Sequence, residues 1–320
     1  MTLEPLTATP LVTLALFSYN SEHFIEKAVA SVLAQDYPKL EIILSDDCSE
    51  DSTFELMEST VRKYSGDHDL TLLRNAVNIG LASHVNQIFR QARGSVVVFA
   101  AGDDIFLPSR VSNSMSLLQS NPRAVTVSFS DIVIDKSGAV LKAENPNLLD
   151  TTIDFWGLVN GISPHPSGAS RAYRREVFDL FGPLDGNCPT EDTTLMLRSL
   201  ILGEIIVAGK PGIKYRRHSE SLTGGPRQAG ISDDHIRDQY RCDLARAKQM
   251  ELLGDEKSSA VEKWIETSYL RSSLLKALRL GGPPSPRALF KLVFSRIFSG
   301  REKVAGLTSL TKSALRRITR

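Results

Sequence analysis

Short apolar runs alternate with longer stretches of helical periodicity through the first hundred residues. Residues 11–17 form a continuous apolar run of strand length. From Phe24 to Leu33 the apolar positions Phe24, Ala28 and Val32 recur at helical spacing, with Ile25, Val29 and Leu33 beside them. Ser21 reads as the N-cap of that helix, and Tyr37-Pro38 ends it. Residues 40–44 predict a second strand, 52–64 a second helix, 70–73 a third strand and 81–92 a third helix that Gly94 closes. Residues 95–101 predict a fourth strand. The order β-α-β-α-β-α-β requires a mainly parallel sheet with right-handed crossovers and helices on both faces.

Farther on, Val125, Val127 and Phe129 alternate within a predicted strand over 124–134. Asp135-Lys136-Ser137-Gly138 is a turn signal, with a hairpin partner at 139–142. Residues 150–161 predict a helix or lid in which Phe155 and Trp156 belong to the core, and 163–169 read as a loop. A short helix over 175–181 ends at Gly182-Pro183, and Glu191-Asp192 precedes a helix over 193–202, where carboxylates also suit a helix N-terminus. Residues 205–208 and 213–217 predict a final strand pair, and 233–280 a helical region. Gly281-Gly282-Pro283-Pro284-Ser285-Pro286 is a linker.

Residues 287–320 carry nine Lys or Arg and one acid, Glu302. On a helical wheel Leu289, Phe290, Val293, Phe294, Ile297 and Phe298 share one face, flanked by Lys291 and Arg296. That pattern suits an interfacial helix on an anionic membrane surface; packing on the main domain and partner binding are the alternatives. The boundaries that follow are 1–230 for the α/β domain, 231–282 for a helical extension and 283–320 for the basic amphipathic tail.

Composition narrows the classes. Among 320 residues, 42% hydrophobic and 23% charged describe a soluble globular chain, and a net charge of +1 gives no global steering toward nucleic acid. Cys48, Cys188 and Cys242 are far apart without metal-ligand spacing, which fits a reducing compartment. No basic residue precedes the first apolar run, as a signal peptide would require, and no stretch approaches the roughly 18 apolar residues of a membrane span. The expected location is the cytoplasm, with any membrane contact peripheral at the inner face.

Candidate chemistry collects after the strands. Ser18-Tyr19-Asn20, Asp46-Asp47, Arg74-Asn75 and Asp103-Asp104 follow successive strands, so a parallel sheet brings them to one carboxyl edge, where such sheets bind ligands. Two adjacent acids there suit Mg²⁺ or Mn²⁺ bridging phosphates; a plain polar turn is the alternative reading of Gly102-Asp103-Asp104. A Gly-rich dinucleotide fingerprint and a P-loop are both missing, which disfavours a dehydrogenase and an NTPase.

These residues carry a resemblance. Residues 12–53, VTLALFSYNSEHFIEKAVASVLAQDYPKLEIILSDDCSEDST, resemble the opening of family 2 glycosyltransferases. Ala101-Gly102-Asp103-Asp104 is similar to the family's "DxD" region, and residues 187–198 to its E-D-x-x-L-x-x-R segment. Tyr215-Arg216-Arg217-His218, with the residues to Thr223, resembles its closing Y-R-x-H-x-x-S segment. Where many members have a further acid two positions before the last pair, this chain has Ala101.

The resemblance implies a GT-A fold, Rossmann-like, with a donor half at about residues 10–135 and an acceptor half at about 136–230, followed by the helical extension. It implies donor contacts from Ser18, Tyr19, Asn20, Asp47, Arg74, Asp103 and Arg217, with Tyr19 near the base and Asp47 on a uracil or thymine N–H. Asp104 and His218 are the implied ligands of Mn²⁺ or Mg²⁺. Asp192 is the implied catalytic base, with Glu191 and His165 on the acceptor side. The implied reaction is inverting transfer from a UDP-, dTDP- or GDP-sugar to a glycan or lipid-linked hydroxyl, in bacterial surface polysaccharide or glycoconjugate synthesis. A nucleotidyltransferase and a non-catalytic nucleotide-sugar-binding module are the rival readings. The first would carry a Gly-rich basic loop after the first strand, where Phe17-Ser18-Tyr19-Asn20 stands.

Overall fold

Strands β1 (Val12–Ser18) and β2 (Leu40–Asp46) are buried along almost their whole length, as mainly apolar strands must be in a sheet covered on both faces. In the computed structural model, which describes residues 3–142, 148–161, 166–218 and 231–279, they lie in a ten-stranded sheet. Its other members are β3 (Asp69–Arg74), β4 (Val96–Ala101), β5 (Ile105–Phe106), β6 (Ala124–Ile134), β7 (Val140–Lys142), β8 (Thr151–Ile153), β9 (Ala172–Arg174) and β10 (Glu204–Arg216). The order is β3-β2-β1-β4-β9-β6-β10-β5, with β7 on β6 and β8 on β10. Strands β3, β2, β1 and β4 are parallel neighbours, as the alternating pattern predicts. Strand β9 runs antiparallel between β4 and β6 and joins this block to a second parallel pair, β6 and β10.

Alternation along β1 sends side chains to two different cores. Val12, Leu14 and Leu16 pack with Ile25, Val29 and Val32 of α1 (Ile25–Leu33), Met57 of α2 (Thr53–Arg62), and Val111, Met115 and Leu118 of α4 (Arg110–Ser120). Ala15 faces the other side, where α3 (Leu81–Gln91) contributes Ala82, Val85, Ile88 and Phe89. Helix α6 (Glu176–Asp179) adds Val177 and Phe178 there, and α7 (Glu191–Leu202) adds Leu195. A third apolar cluster joins α5 (Phe155–Val159) and α7 to two C-terminal helices, α8 (Asp233–Gln249) and α9 (Asp255–Arg279).

Several expectations need correction. The predicted final strand pair is one strand, β10; the register with β6 shifts between Ala208 and Pro211 and again before Ile213. Pro211 has no N–H for the ladder, and Gly212 lies so close to Phe129 that an added Cβ would meet its ring at 2.7 Å. Ser21 does not cap α1: the helix begins at Ile25, and the Ser21 carbonyl takes the Phe24 and Ile25 N–H groups at 2.9 Å. Phe155 is core at 5% exposure, but Trp156 is 37% exposed. Helix α4 escaped the sequence pattern because serines occupy much of it, including the buried position Ser114. Strands β5 and β9 are too short for alternation to register. His165, residues 219–223 of the closing motif, the linker and the basic tail lie outside the described residues. Among the described residues no helix is long and apolar enough to cross a membrane.

Candidate functional site

Backbone bonds continue past the strand ends and tie the carboxyl-edge loops together. Asp47 N donates to Ser18 O, Asn75 N to Asp46 O and Gly102 N to Phe17 O, each at 2.9 Å. The turns after β1 and β2 also interlock. Asn20, in the left-handed region at φ 48°, donates its N–H to Ser49 Oγ at 2.8 Å and accepts from Glu50 N at 2.9 Å. Ser21 N donates to Thr53 Oγ1 at 2.7 Å. Asn tolerates this backbone conformation better than most side chains. Beside this seam, the Tyr19 ring is 40% exposed on the rim and Ser18 is buried.

Asp47 is 3% exposed, and its carboxylate organises the loop after β3. Oδ1 accepts from Asn75 Nδ2 at 2.8 Å and Ile79 N at 3.0 Å, and Oδ2 from Gly80 N at 2.9 Å. Arg74 is held to the second loop through Ser49 O at 3.2 Å and Glu55 at 3.3 Å, over the Phe54 ring. Ser18, Tyr19, Asn20, Asp47 and Arg74 thus lie on one interlocked edge.

The end of β4 meets the end of β10. Asp103 Oδ2 lies 3.0 Å from His218 Nε2. Two ligands of one octahedral ion bound at roughly 2.1 Å stand about that far apart, so this pair fits two adjacent positions around Mg²⁺ or Mn²⁺. Among the described residues no cluster of three or more His, Cys, Asp or Glu is placed to hold a metal. A site of this kind would draw its remaining ligands from phosphate oxygens and water, as Mg²⁺ sites commonly do.

Asp104 is 1% exposed, and its Oδ1 accepts the Arg216 N–H at 2.8 Å. Burial and the neighbouring Asp103 hold its carboxyl well above the usual carboxylate range. Arg216 is itself buried: its guanidinium donates to Asp103 O at 2.8 Å and Asp135 O at 2.9 Å and stacks on Phe24 at 4.7 Å. Arg217, next in sequence, is exposed.

A buried polar path leads from this end toward Asp192. The Arg110 guanidinium lies fully buried over the Phe106 ring, with Asp104 and Asp131 as its charged neighbours. Its Nη2 donates to Arg171 O at 3.3 Å and Ala169 O at 3.4 Å. Burial pushes the Asp131 carboxyl up, against the pull of Ser167, Arg110 and Ser170. Arg171, 2% exposed, gathers the same loop by donating to Ser167 O at 3.1 Å and Pro166 O at 2.8 Å, and it binds the Asp192 carbonyl.

Glu191 and Asp192 occupy the first turn of α7, which begins two residues earlier than predicted. Burial, then the charge of Asp192, pushes Glu191 up to about 7. Gly168 faces the Asp192 carboxylate so closely that an added Cβ would collide with Oδ2. Gly168→Ala is therefore expected to turn the carboxylate away and lower turnover about tenfold or more, with nucleotide affinity unchanged. Steady-state kinetics beside UDP calorimetry checks this; wild-type turnover in the variant would show that the carboxylate adapts.

Arg110, Asp131 and Arg171 belong to none of the sequence motifs. Their signal was weak: isolated charges in otherwise apolar or serine-rich stretches, with no periodic position and no motif partner.

Known proteins resemble this chain in sequence and in fold. The relatives include the putative glycosyltransferase EpsE of Bacillus subtilis, 29% identical over 129 residues, 40% of this chain and 46% of EpsE. Another is the Escherichia coli enzyme WfgD, a UDP-Glc:alpha-D-GlcNAc-diphosphoundecaprenol beta-1,3-glucosyltransferase, 32% identical over 112 residues, 35% of this chain and 42% of WfgD. The chain thus matches less than half the length of either. Among solved structures, S. aureus TarS 1–349 in complex with UDP superposes with a TM-score of 0.59 at 15% identity, over 95% of this chain and 80% of that one. The mannosyltransferase PcManGT from Pyrobaculum calidifontis, in complex with GDP-Man and Mn²⁺, gives 0.56 at 18% identity, over 98% and 89%. The architecture is the expected GT-A fold with C-terminal helices added. The sequence model described as "Glycosyl transferase family 2" matches residues 13–181, more than half of the chain, which belongs to that family.

Proposed function

We propose that this glycosyltransferase moves a sugar from a nucleotide diphosphate sugar to an acceptor hydroxyl in a single inverting displacement. The observation that carries the reading is the pairing of two stations: the Asp103–His218 couple at the strand edge, and the Asp192 carboxylate facing Gly168 at the start of α7. UDP in the TarS complex and GDP-Man in PcManGT favour a nucleotide-sugar donor here. The diphosphoundecaprenol-linked acceptor in the name of WfgD favours a lipid-linked acceptor in surface polysaccharide synthesis.

The donor's base lies between Tyr19 and the Asp47 loop, and its diphosphate runs toward Asp103 and the exposed Arg217. Asp103 and His218 would hold a divalent cation, with the imidazole favouring Mn²⁺ over Mg²⁺. Asp104 supports the site from beneath through Arg216, since it is buried and one of its oxygens is committed to a backbone N–H. A cation held there would supply Lewis acidity for the departing diphosphate. Arg217 adds positive charge where the leaving group gathers electrons. Asp192 accepts the proton of the attacking hydroxyl, with Glu191 and the loop around Gly168 on the acceptor side.

A thermal-shift panel of UDP-, dTDP- and GDP-sugars with and without Mn²⁺ tests this. One donor is expected to stabilise the chain by about 2.7 kcal/mol at a hundredfold excess over its Kd, and more weakly without the ion. Asp103→Asn is expected to abolish the Mn²⁺ increment while leaving a metal-free shift. A Mn²⁺ increment of full size in that variant would remove Asp103 as a metal-holding residue.

A further inference from the structure

Three ties run from α8 to the segment that carries Asp192. Asp243 receives Arg198 of α7 in a bidentate pair, Nε at 3.0 Å and Nη2 at 2.8 Å, with side chains 0% and 2% exposed. Gln239 donates to Asp243 Oδ1 at 2.9 Å, and its own carbonyl accepts the Asp185 N–H at 2.6 Å. Asp185 opens the turn leading into α7: its carbonyl takes Cys188 N at 2.9 Å and its carboxylate Asn187 N at 2.7 Å. Tyr240, 6% exposed, brings its hydroxyl to the Thr193 side chain, next to Asp192. Around these polar ties, Met196, Leu197, Leu200 and Ile201 of α7 share an apolar cluster with Leu244 and Ala247 of α8 and with Val261 and Ile265 of α9.

We infer that the C-terminal helical pair is a positioning element of the transfer reaction: α8 sets the rotation and axial position of α7, and with them the place where Asp192 presents its carboxylate. A plain apolar seam would stabilise α7 while permitting it to slide. The planar fork of Arg198 on Asp243 fixes one register, because bidentate geometry is lost on a small displacement. Gln239 and Tyr240 fix the lead-in turn and the first turn, on either side of Asp192. The inference rests on the reading of Asp192 as the base.

Breaking the Arg198–Asp243 pair endangers folding, so the test uses two milder changes in the full chain, Gln239→Met and Tyr240→Phe. Gln239→Met removes the bonds to Asp185 and Asp243, Tyr240→Phe removes the contact with Thr193, and both keep the packing. UDP release from UDP-glucose and UDP-N-acetylglucosamine is followed across pH, with UDP affinity by calorimetry and the thermal midpoint measured alongside. Each variant is expected to lose about tenfold in kcat with donor KM and UDP affinity within about twofold of wild type. The limb of the pH profile near 7 is expected to move. Folded variants with wild-type kcat and wild-type pH profile overturn the proposal. Asp192→Asn in the same assay separates the two readings. If it stays active, the base reading falls and the positioning role with it; if it is inactive while Gln239→Met and Tyr240→Phe work normally, only the positioning role falls.

Discussion

Asp192→Asn is expected to lower sugar transfer by about 10²–10⁴-fold while leaving nucleotide binding intact, the range a positioned general base supplies. The substitution keeps the size of the side chain and removes its capacity to hold a proton. The Thr193 N–H, which the Asp192 carboxylate accepts at 2.7 Å, still finds an amide oxygen, so α7 keeps its first turn. Glu191 gives the wild-type profile its shape. Its carboxyl is pushed up to about 7 by burial and by Asp192, so Glu191 is protonated below that value and gains its charge above it. The added negative charge beside the acceptor hydroxyl favours removal of its proton, so transfer should rise as pH passes upward through about 7. Calorimetry with UDP beside single-turnover kinetics is the decisive combination. Turnover at the wild-type rate in Asp192→Asn would exclude it as the base, and loss of UDP affinity would point to a collapsed site instead.

Arg198→Met is expected to produce the largest stability loss of any single change considered. It leaves the Asp243 carboxylate buried without its partner, which typically costs about 3–5 kcal/mol. Arg198 also donates to Gly182 O at 2.8 Å and lies over the Phe181 ring at 5.4 Å, so the turn after α6 loosens as well. At about 2–4 °C per kcal/mol for a chain of this size, the midpoint should fall by roughly 10 °C. Adding Asp243→Leu should restore most of the loss, because two apolar side chains then share the space and no charge is stranded. Denaturant unfolding of the single and double variants checks both statements. A single variant as stable as wild type would mean that Asp243 finds water or a proton at little cost.

The fold's first half was readable because its physics is local. In β1, β2 and β4 the runs are mainly apolar, broken only at Thr13 and Glu41 before the polar strand ends, and the helices between them show clear 3.6-residue spacing, so a parallel sheet was the one arrangement open to them. The second half depends on contacts distant in sequence. Strand β9 is three residues long and exists because Ala172 and Tyr173 pair with β4 on one side and β6 on the other. Strand β10 reads as two segments because Gly209, Pro211 and Gly212 interrupt it, yet β6 holds both parts in one ladder. Local propensity cannot foresee a partner that lies eighty residues earlier.

The site divides in the same way. By itself the sequence determined the chemistry on offer: acids at strand ends, a Glu-Asp pair opening a helix, and motif spacings matched by glycosyl transferase family 2. Residue type and order suffice for that, since strand ends in a parallel sheet must share an edge. Only the tertiary structure decided which of two adjacent acids is accessible. Asp104 turns inward to Arg216 and Asp103 turns outward to His218, because the chain reverses through a turn after Ala101 that the Asp104 N–H closes on the Ala101 carbonyl at 3.3 Å. Tertiary structure alone also joined Arg198 to Asp243 across 45 positions and seated Gly168 against Asp192. A buried charge finds its partner through the packing of whole helices, and no pattern along the chain encodes that distance.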